Sequence, residues 1–443
     1  MIVNNLYLEN FRNYEKEKIE LEEKNVFYGL NGQGKTNIIE ALYYFCTCKS
    51  FRSIHDKEVI KFGEKYALTK IEFESLKREN TAEIYITDRK SVKINGINLE
   101  KQSELIGVAN MVIFTPEHLN LIREGPGVRR SFLDVFISQM KPVYFKNLLA
   151  YYKVLKQRNN ILKSKNKKML STIDVCNEKL AQYGVNICKY RGEALKVIDK
   201  YVKNYETANE NLKILYSPNI RDDFSDIKNF VNQLEQGLER DIEKGITLTG
   251  PHRDDFEVLL NEKSLRKYGS QGQTRTGILK MKLAECEIIK DMNGEDPLLL
   301  LDDVLSELDE KRREFFTGNI GKRQVVITCT DREFVNDKNA RFFEVKDGKT
   351  EVWWKLYLHL GGDVSVKIKN IVAIMDLETT SVSKITKEFL KIAQKSDSVV
   401  NVNEELPKSY VIISDDEKTK VYISPISSQT LLKRANNGDI YFA

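Results

Sequence analysis

Apolar residues along this chain follow strand-like runs in some segments and helical spacing in others. The segment 24–28, KNVFY, is a short apolar run typical of a buried strand, and 36–44, TNIIEALYY, has the spacing of an amphipathic helix. In the second half of the segment 266–289, apolar residues have helical spacing. This segment is followed at 298–301 by four leucines, as expected of a strand buried on both faces. The order of these elements predicts an α/β fold.

The spacing of apolar residues also divides the rest of the chain into segments. Residues from about 105 to 245 have helical periodicity and few strand signals, and RFFEVKDGKTEVWWK adds a last strand before a new pattern begins at LYLHLGG. We predict an α/β head with mixed sheets, an inserted and mainly helical lobe, and a small C-terminal α+β domain. The predicted segments are 1–105 (head), 106–245 (inserted lobe), 246–355 (head) and 356–443 (C-terminal domain).

Composition narrows the classes of protein. The chain has 443 residues, 41% of them hydrophobic, and no apolar run of 18 residues, so we expect no membrane span and a cytoplasmic location. Its six cysteines are scattered without metal-binding spacing, which favours reduced thiols. The net charge of +5 is compatible with a polyanionic partner without establishing one.

A glycine-rich loop between the first buried strand and its helix fits G-x-x-x-x-G-K-[ST] at every fixed position. Its glycines let backbone N–H groups approach phosphate oxygens, and the helix directs its positive end at them. Lys35 is predicted to bind the β- and γ-phosphates and Thr36 to ligate Mg²⁺. The predicted nucleotide contacts are Gly29, Leu30, Asn31, Gly32, Gln33, Gly34, Lys35, Thr36 and Asn37.

Two acids follow the leucine run, where ligands bind at the carboxyl ends of strands in open α/β sheets. Asp302 is predicted to hold Mg²⁺, and Asp303 to orient or deprotonate the attacking water. A solvated acidic turn is the alternative. It is weakened by the presence of the phosphate loop in the same chain.

A polar loop, Ser270-Gln271-Gly272-Gln273, precedes the helix before the leucine run. Ser270 can cap that helix, and Gly272 lets an anion approach its N-terminus. An ordinary capped helix would have the same pattern, so the loop alone does not identify a function.

Together these motifs resemble the RecF family within the SMC and ABC-type ATPase class. The resemblance covers about residues 1 to 355. Its motifs are LENFRNY (8–14), GLNGQGKTNIIEAL (29–42), KSFR (49–52), FTPEHLNLI (114–122), RRSFLD (129–134), LTGPHRDDF (248–256), YGSQGQTRT (268–276) and LLLLDDVLSELD (298–309).

The resemblance implies a homodimer in which ATP is bound between two copies. Ser270, Gln271, Gly272 and Gln273 of one copy would face the nucleotide on Lys35 of the other, and Asp309 would lie across the same interface. Two departures from transporter ATPases, Asp303 instead of glutamate and no histidine after QVVITCTD, imply slow hydrolysis. Family membership also implies ATP and Mg²⁺ as cofactors, weak DNA-stimulated ATPase activity, binding to duplex and gapped DNA in recombinational repair, and RecO- and RecR-like partners.

The NFRNY segment leaves two interpretations open. Its aromatic or arginine side chains could stack on adenine or meet phosphate, and the same residues would also suit a strand followed by a turn. Arg52 of KSFR is a further candidate for phosphate contact.

The inserted lobe is rich in basic residues. Between Phe145 and Tyr205 there are fourteen basic and four acidic residues. Such an excess suits a surface that binds the phosphate backbone, although a solvated helix face would have it too. The predicted DNA contacts are Lys163, Lys165, Lys167 and Lys168.

Residues 356 to 443 resemble the RemA/RemB-type regulators through YLHLGGD, IVAIMDLE and YISPISSQTLLKR. Leu356 stands where a free-standing relative would start, which suggests either a fusion of two genes or two adjacent reading frames joined into one. The resemblance keeps a second function open, a transcription regulator whose tail binds DNA under ATPase control. A transporter ATPase subunit is a weaker third interpretation, because its expected histidine is absent.

Overall fold

A computed structural model describes most of the chain. The described residues are 1–53, 55–164, 170–205, 210–331, 334–335, 340–352, 357–362, 364–380, 383–396, 398–403, 406–415 and 418–437. Lys165, Lys167, Lys168 and Leu356 lie outside them. The chain forms two compact units, 1–340 with 346–348, and 341–345 with 349–443.

The first unit contains thirteen strands and nine helices among its described residues. The strands are β1 (Ile2–Phe11), β2 (Tyr14–Glu20), β3 (Lys24–Tyr28), β4 (Ala67–Ser75), β5 (Arg78–Ile86), β6 (Lys90–Ile94), β7 (Ile97–Asn98), β8 (Met111–Phe114), β9 (Leu212–Ser217), β10 (Asp255–Leu260), β11 (Lys263–Ser264), β12 (Leu298–Asp302) and β13 (Val325–Cys329). The helices are α1 (Lys35–Thr47), α2 (Pro126–Met140), α3 (Pro142–Ser164), α4 (Ile173–Val202), α5 (Ile227–Gln236), α6 (Leu238–Lys244), α7 (Leu265–Tyr268), α8 (Gln271–Asn293) and α9 (Glu310–Asn319).

A parallel sheet positions the predicted site. Its strands lie in the order β3, β13, β12, β8 and pair in parallel. Every residue of β12, β13 and β8 is buried, because layers cover both faces of the sheet. The carboxyl ends of β3, β12 and β13 therefore meet at one edge, with Asp302 beside Thr328.

A second sheet is antiparallel, with the order β2, β1, β4, β5, β6, β7. Along β1 buried and more exposed positions alternate, as expected of a strand with one face on the core. A small third sheet orders β11, β10, β9. The first unit therefore combines a parallel sheet with antiparallel sheets, as the mixed α/β prediction requires.

Buried arginines crosslink the helical lobe. Arg158 on α3 is fully buried and binds Asp241 at 2.6 Å. Arg191 on α4 binds Asp254 at 3.0 Å and Asp134 at 2.8 Å. Two of the basic residues of this region therefore hold the lobe together and are not available to a polyanion, because their charges are neutralised inside the protein.

The boundary predicted at residue 106 requires a correction. Strand β8 falls within the range predicted as the helical lobe, yet it pairs with β12 in the parallel sheet. The lobe also contributes β9, which pairs with β10. An apolar run as short as MVIF cannot be distinguished from one turn of a buried helix by periodicity, which explains the difference.

The second unit is a small α+β assembly. Its strands are β14 (Arg341–Lys346), β15 (Lys349–Val352), β16 (Tyr357–Gly361), β17 (Val364–Lys367), β18 (Ile371–Asp376), β19 (Val399–Asn401), β20 (Ser409–Asp415) and β21 (Lys418–Ser424). Its helices are α10 (Leu377–Thr380), α11 (Lys384–Lys395) and α12 (Ser428–Asn437). Four strands form a sheet in the order β18, β20, β21, β19, and the largest buried cluster joins Leu358, Leu360, Val411 and Leu431.

No helix in the described ranges is both long enough and apolar enough to cross a bilayer.

Candidate nucleotide-binding site

The loop between β3 and α1 has the conformation that its glycines predict. Gly29, Gly32 and Gly34 have φ values of 147°, 82° and 119°, a region that residues with a side chain rarely adopt. At Gly32 a Cβ would meet nothing within 4 Å, whereas at Gly34 it would lie 2.7 Å from Asn13 Nδ2. Gly34 is therefore needed for close packing as well as for its conformation, and Leu30 is 77% exposed at the tip of the loop.

Residues from distant parts of the chain hold the loop in place. Asn13 Nδ2 donates to the Gln33 carbonyl at 2.8 Å, and the Tyr14 hydroxyl donates to the Gly34 carbonyl at 3.2 Å. The backbone N–H of Asp347 donates to Gln33 Oε1 at 2.7 Å. Asn37 Nδ2 in turn donates to Asn13 Oδ1 at 2.7 Å. The phosphate loop is thus supported on several sides by the protein itself.

A buried ion pair holds the supporting turn. Glu40 on α1 is fully buried, and both of its carboxylate oxygens accept from Arg12, at 2.6 and 2.9 Å. Ser50 also donates to Glu40, and Arg52 lies 3.7 Å away. The structure therefore places Arg12 in a structural ion pair, while Asn13 and Tyr14 contact the loop backbone. Of the two interpretations of NFRNY, the structural one describes these contacts.

Asp302 is brought next to Thr36. Asp302 is 7% exposed, and its Oδ1 accepts from Thr36 Oγ1 at 2.9 Å and from Thr328 Oγ1 at 2.8 Å. Burial raises the pKa of the Asp302 carboxyl, and the two hydroxyl donors act in the opposite direction. A hydroxyl and a carboxylate side by side at the phosphate loop are the oxygen ligands that Mg²⁺ prefers, so these residues fit the expected metal.

Asp303 has a left-handed backbone, with φ of 52°. This conformation directs its N–H to Thr328, at 3.1 Å from the carbonyl and 3.0 Å from the hydroxyl. Its carboxylate Oδ1 accepts from the Ser306 hydroxyl at 3.1 Å. Asp303 is thus held by the neighbouring strand and by the segment leading to Asp309, and its carboxylate is half-buried beside the loop.

Lys35 bends back over the loop. Its ammonium donates to the carbonyls of Gly29 at 2.6 Å and Leu30 at 2.9 Å. Burial lowers the pKa of Lys35, while the nearby Asp303 and Asp302 charges raise it. The two carbonyl contacts hold this ammonium at the phosphate loop, where it can bind an anion.

The second predicted loop lies at the exposed N-terminus of α8. Ser270 caps the helix by accepting from the Gln273 N–H at 3.2 Å, and Gln273 Oε1 accepts from the Ser270 N–H at 3.0 Å. Ser270, Gln271 and Gln273 are exposed, and Gly272 is half-buried. Asp309 caps α9 by accepting from the Arg312 N–H at 3.0 Å.

The structure brings Gly29–Asn37, Asp302 and Asp303 together at one edge of the parallel sheet. The hydrogen bonds described for Ser270 and Gln273 are, by contrast, within their own helix turn. Lys163 is exposed near the end of α3. These placements do not by themselves assign DNA contacts.

Sequence reasoning did not single out Asn13, Glu40 and Thr328. Glu40 carried a usable signal, because it is an acid inside a helix that is apolar on nearly all sides and so needs a buried partner. Asn13 and Thr328 carried no such signal in the sequence, because their roles depend on which strands lie side by side in the fold.

Comparison with known proteins agrees with this geometry. Residues 2–352 match the family model described as RecF/RecN/SMC N terminal domain. The chain is 40% identical over 360 residues to the DNA replication and repair protein RecF of Clostridium botulinum (strain Okra / Type B1), covering 79% of this chain and 99% of that protein. It is 41% identical over 364 residues to RecF of Clostridium perfringens (strain SM101 / Type A), covering 79% of this chain and 100% of that protein.

The chain belongs to the RecF family. A solved structure of the recombination mediator protein RecF with ATPrS in the RecFOR pathway is 35% identical and superposes with a TM-score of 0.74, covering 79% of this chain and 97% of the other. The corresponding RecF–ATP structure has the same identity and coverage, with a TM-score of 0.73. The predicted ATPase fold is confirmed.

The C-terminal segment has its own relative. Residues 357–435 match the family model described as extracellular matrix regulatory protein A-like. The predicted RemA/RemB resemblance is thus confirmed, and this RecF-family chain carries a RemA-like domain after its ATPase part.

Proposed function

We propose that this chain is an ATP-dependent DNA-binding protein of recombinational and gap repair, which dimerises when ATP is bound. The observation that carries the proposal is the junction of Thr36 and Asp302 at the mouth of the phosphate loop, in a chain that aligns with RecF along nearly the full length of its relatives. Solved RecF structures contain ATP or ATPrS, which supports the same ligand here.

The residues would divide the work on ATP as follows. Lys35 and the N–H groups of 29–37 bind the phosphates, and Thr36 and Asp302 hold Mg²⁺. The metal supplies positive charge that stabilises the phosphate oxygens. Asp303 accepts the proton of the attacking water, and the Ser306 hydroxyl keeps its carboxylate oriented.

A second copy would complete the site. Ser270, Gln271, Gly272, Gln273 and Asp309 would face the nucleotide bound by Lys35 of that copy. Ser270 and Gln273 suit this role because they are exposed at a helix N-terminus, where the dipole favours anions. In this scheme ATP controls dimer formation, and hydrolysis is slow and stimulated by DNA.

The proposed nucleic-acid partners are duplex and gapped DNA, contacted in part by Lys163, Lys165, Lys167 and Lys168. RecO- and RecR-like proteins are the proposed protein partners, in keeping with the RecFOR pathway named for the similar solved structures. A regulator directed by the RemA-like domain is not favoured, since the RecF alignment covers 79% of the chain.

Sedimentation velocity of the full chain tests this proposal. We expect a monomer without nucleotide, a dimer with ATP and Mg²⁺, and a dimer bound to gapped duplex when that DNA is added. A chain that stays monomeric with ATP at every concentration would contradict the dimer. Absence of DNA binding with or without ATP would contradict the repair function.

A further inference from the structure

Two arginines fasten the first two turns of α8 to the segment 305–312, and each element contributes one of them. Arg312, in the first turn of α9, reaches back to α8. Arg275, in the second turn of α8, reaches forward to the segment before α9. Each of the two elements, α8 and the segment 305–312, thus donates one arginine to the other. A tilt of either element would break at least one of these two arginine contacts.

Arg312 lies directly against the exposed loop. Its Nε donates to Thr276 Oγ1 at 3.1 Å, and the guanidinium pairs with the Asp309 carboxylate. A Cβ at Gly272 would overlap this guanidinium. The missing side chain of Gly272 therefore makes room for Arg312 as well as for an anion.

Arg275 makes the reciprocal contact. Its guanidinium donates to the Glu307 carbonyl and pairs with the Glu307 carboxylate at 3.1 Å. Side-chain exposure is 24% for Arg275 and 48% for Glu307. Ion pairs this exposed contribute little to folding. Their geometric effect, however, is to hold two loops at a fixed separation.

We propose that Arg312 is a positioning residue that holds Ser270–Gln273 and Asp309 as one rigid edge, ready to meet ATP on a second copy. This inference rests on the proposed dimer. It follows that binding to the second copy requires less ordering of side chains, because both loops are already held in their relative positions. Arg275 has the same role from the other side.

The test separates binding within one chain from association of two. Arg312→Ala should leave the affinity of the monomer for a fluorescent ATP analogue unchanged within about twofold, because the Lys35 loop is intact. The protein concentration at half-dimerisation with ATP and Mg²⁺ should rise about tenfold, as for the loss of one charge-assisted hydrogen bond. Arg275→Ala should act in the same direction.

Lys311→Ala is the matched control, since Lys311 is an exposed cation of the same helix turn. It should leave dimerisation unchanged. Thr276→Ser keeps the hydroxyl that accepts from Arg312 Nε, and it should dimerise like the parent chain. If Arg312→Ala dimerises like the parent chain, the positioning role is wrong. If the parent chain itself fails to dimerise, the proposed function has failed first.

Discussion

The nucleotide site has two predicted halves, the Lys35 loop with Asp302 and the loop that begins at Ser270. They differ in how many contacts within the same chain hold each half in place. We call the Lys35 half the interlocked half, because hydrogen bonds of Asn13, Tyr14 and Gln33 hold its loop in place. Within it, Thr36 also donates a hydrogen bond to Asp302. The Ser270 half is exposed, and the hydrogen bonds described for Ser270 and Gln273 are within their own helix turn. A chain with one structurally complete half and one exposed half is expected when one molecule binds the ligand and a second closes the site.

The physical difference is burial. Around Asp302, burial strengthens every polar contact and raises the pKa of the carboxyl, so geometry there is defined by the fold. Around Ser270, water competes for the same groups, and the geometry is set by capping, by the two arginine contacts and by other hydrogen bonds nearby. Substitutions in the first half should therefore impair nucleotide binding, and those in the second should impair association.

The largest expected effect is on the interlocked half. Lys35→Ala should weaken ATP binding by at least about 100-fold, because the charged donor to the phosphates is lost. Leu76→Ala, at an exposed leucine in the turn between β4 and β5, is the control. Isothermal titration measures both. Equal ATP affinity for Lys35→Ala and the parent chain would place the nucleotide elsewhere.

Asp303→Asn should slow ATP turnover by about 100-fold, because it removes the proposed base that accepts the proton from water. ATP binding and dimerisation should persist, so the dimer should accumulate. Phosphate release measures the rate, and light scattering measures the dimer. Ser306→Ala, which removes the hydroxyl that contacts the carbonyl and the carboxylate of Asp303, should have a smaller effect. An Asp303→Asn chain that stays monomeric with ATP would contradict this assignment.

In the exposed half, Ser270→Arg should raise the concentration needed for ATP-dependent dimerisation by about 30-fold, because a long side chain replaces the short hydroxyl at the proposed interface. Monomeric affinity for ATP should not change. Ser270→Thr preserves the helix cap and should behave like the parent chain. Unimpaired dimerisation of Ser270→Arg would remove this helix terminus from the interface.

Glu40→Gln tests whether the interlocked half depends on its buried ion pair. It should lower the free energy of unfolding by about 3 kcal/mol, because Arg12 loses its charged partner. It should also weaken ATP binding by about tenfold through the loosened Asn13 turn. Glu58→Gln, at an exposed acid of the same region, is the control. Urea unfolding with unchanged stability would show that Arg12 finds another partner.

The smallest effect concerns DNA. Lys163→Glu should weaken binding to gapped duplex about threefold and reduce the salt slope by about one, since one phosphate contact is lost. Charge reversal to glutamate at all four lysines, Lys163, Lys165, Lys167 and Lys168, should weaken DNA binding more strongly. Lys77→Glu, in the turn between β4 and β5, is the matched control. An unaltered salt slope would move the DNA surface away from this part of the lobe.

The sequence predicted the parts of the site that are contiguous in the chain. The glycine loop, its strand and helix, and the leucine run before Asp302 each have a local pattern that matches the structure. The boundary at residue 106 missed β8, because a strand of four residues has too little periodicity to be recognised. Asn13, Glu40, Arg275 and Arg312 were not singled out, because each acts on a residue far from it in sequence or in a neighbouring element.

The sequence by itself determined which chemical groups are present and which local turns hold them, since glycine spacing and apolar period act over a few residues. The tertiary structure alone decided that Thr36 meets Asp302 across 266 residues, and that Arg12 is neutralised by Glu40. Such pairings depend on the order of strands in a sheet and on the desolvation of charges. Neither is encoded in any short segment of the chain.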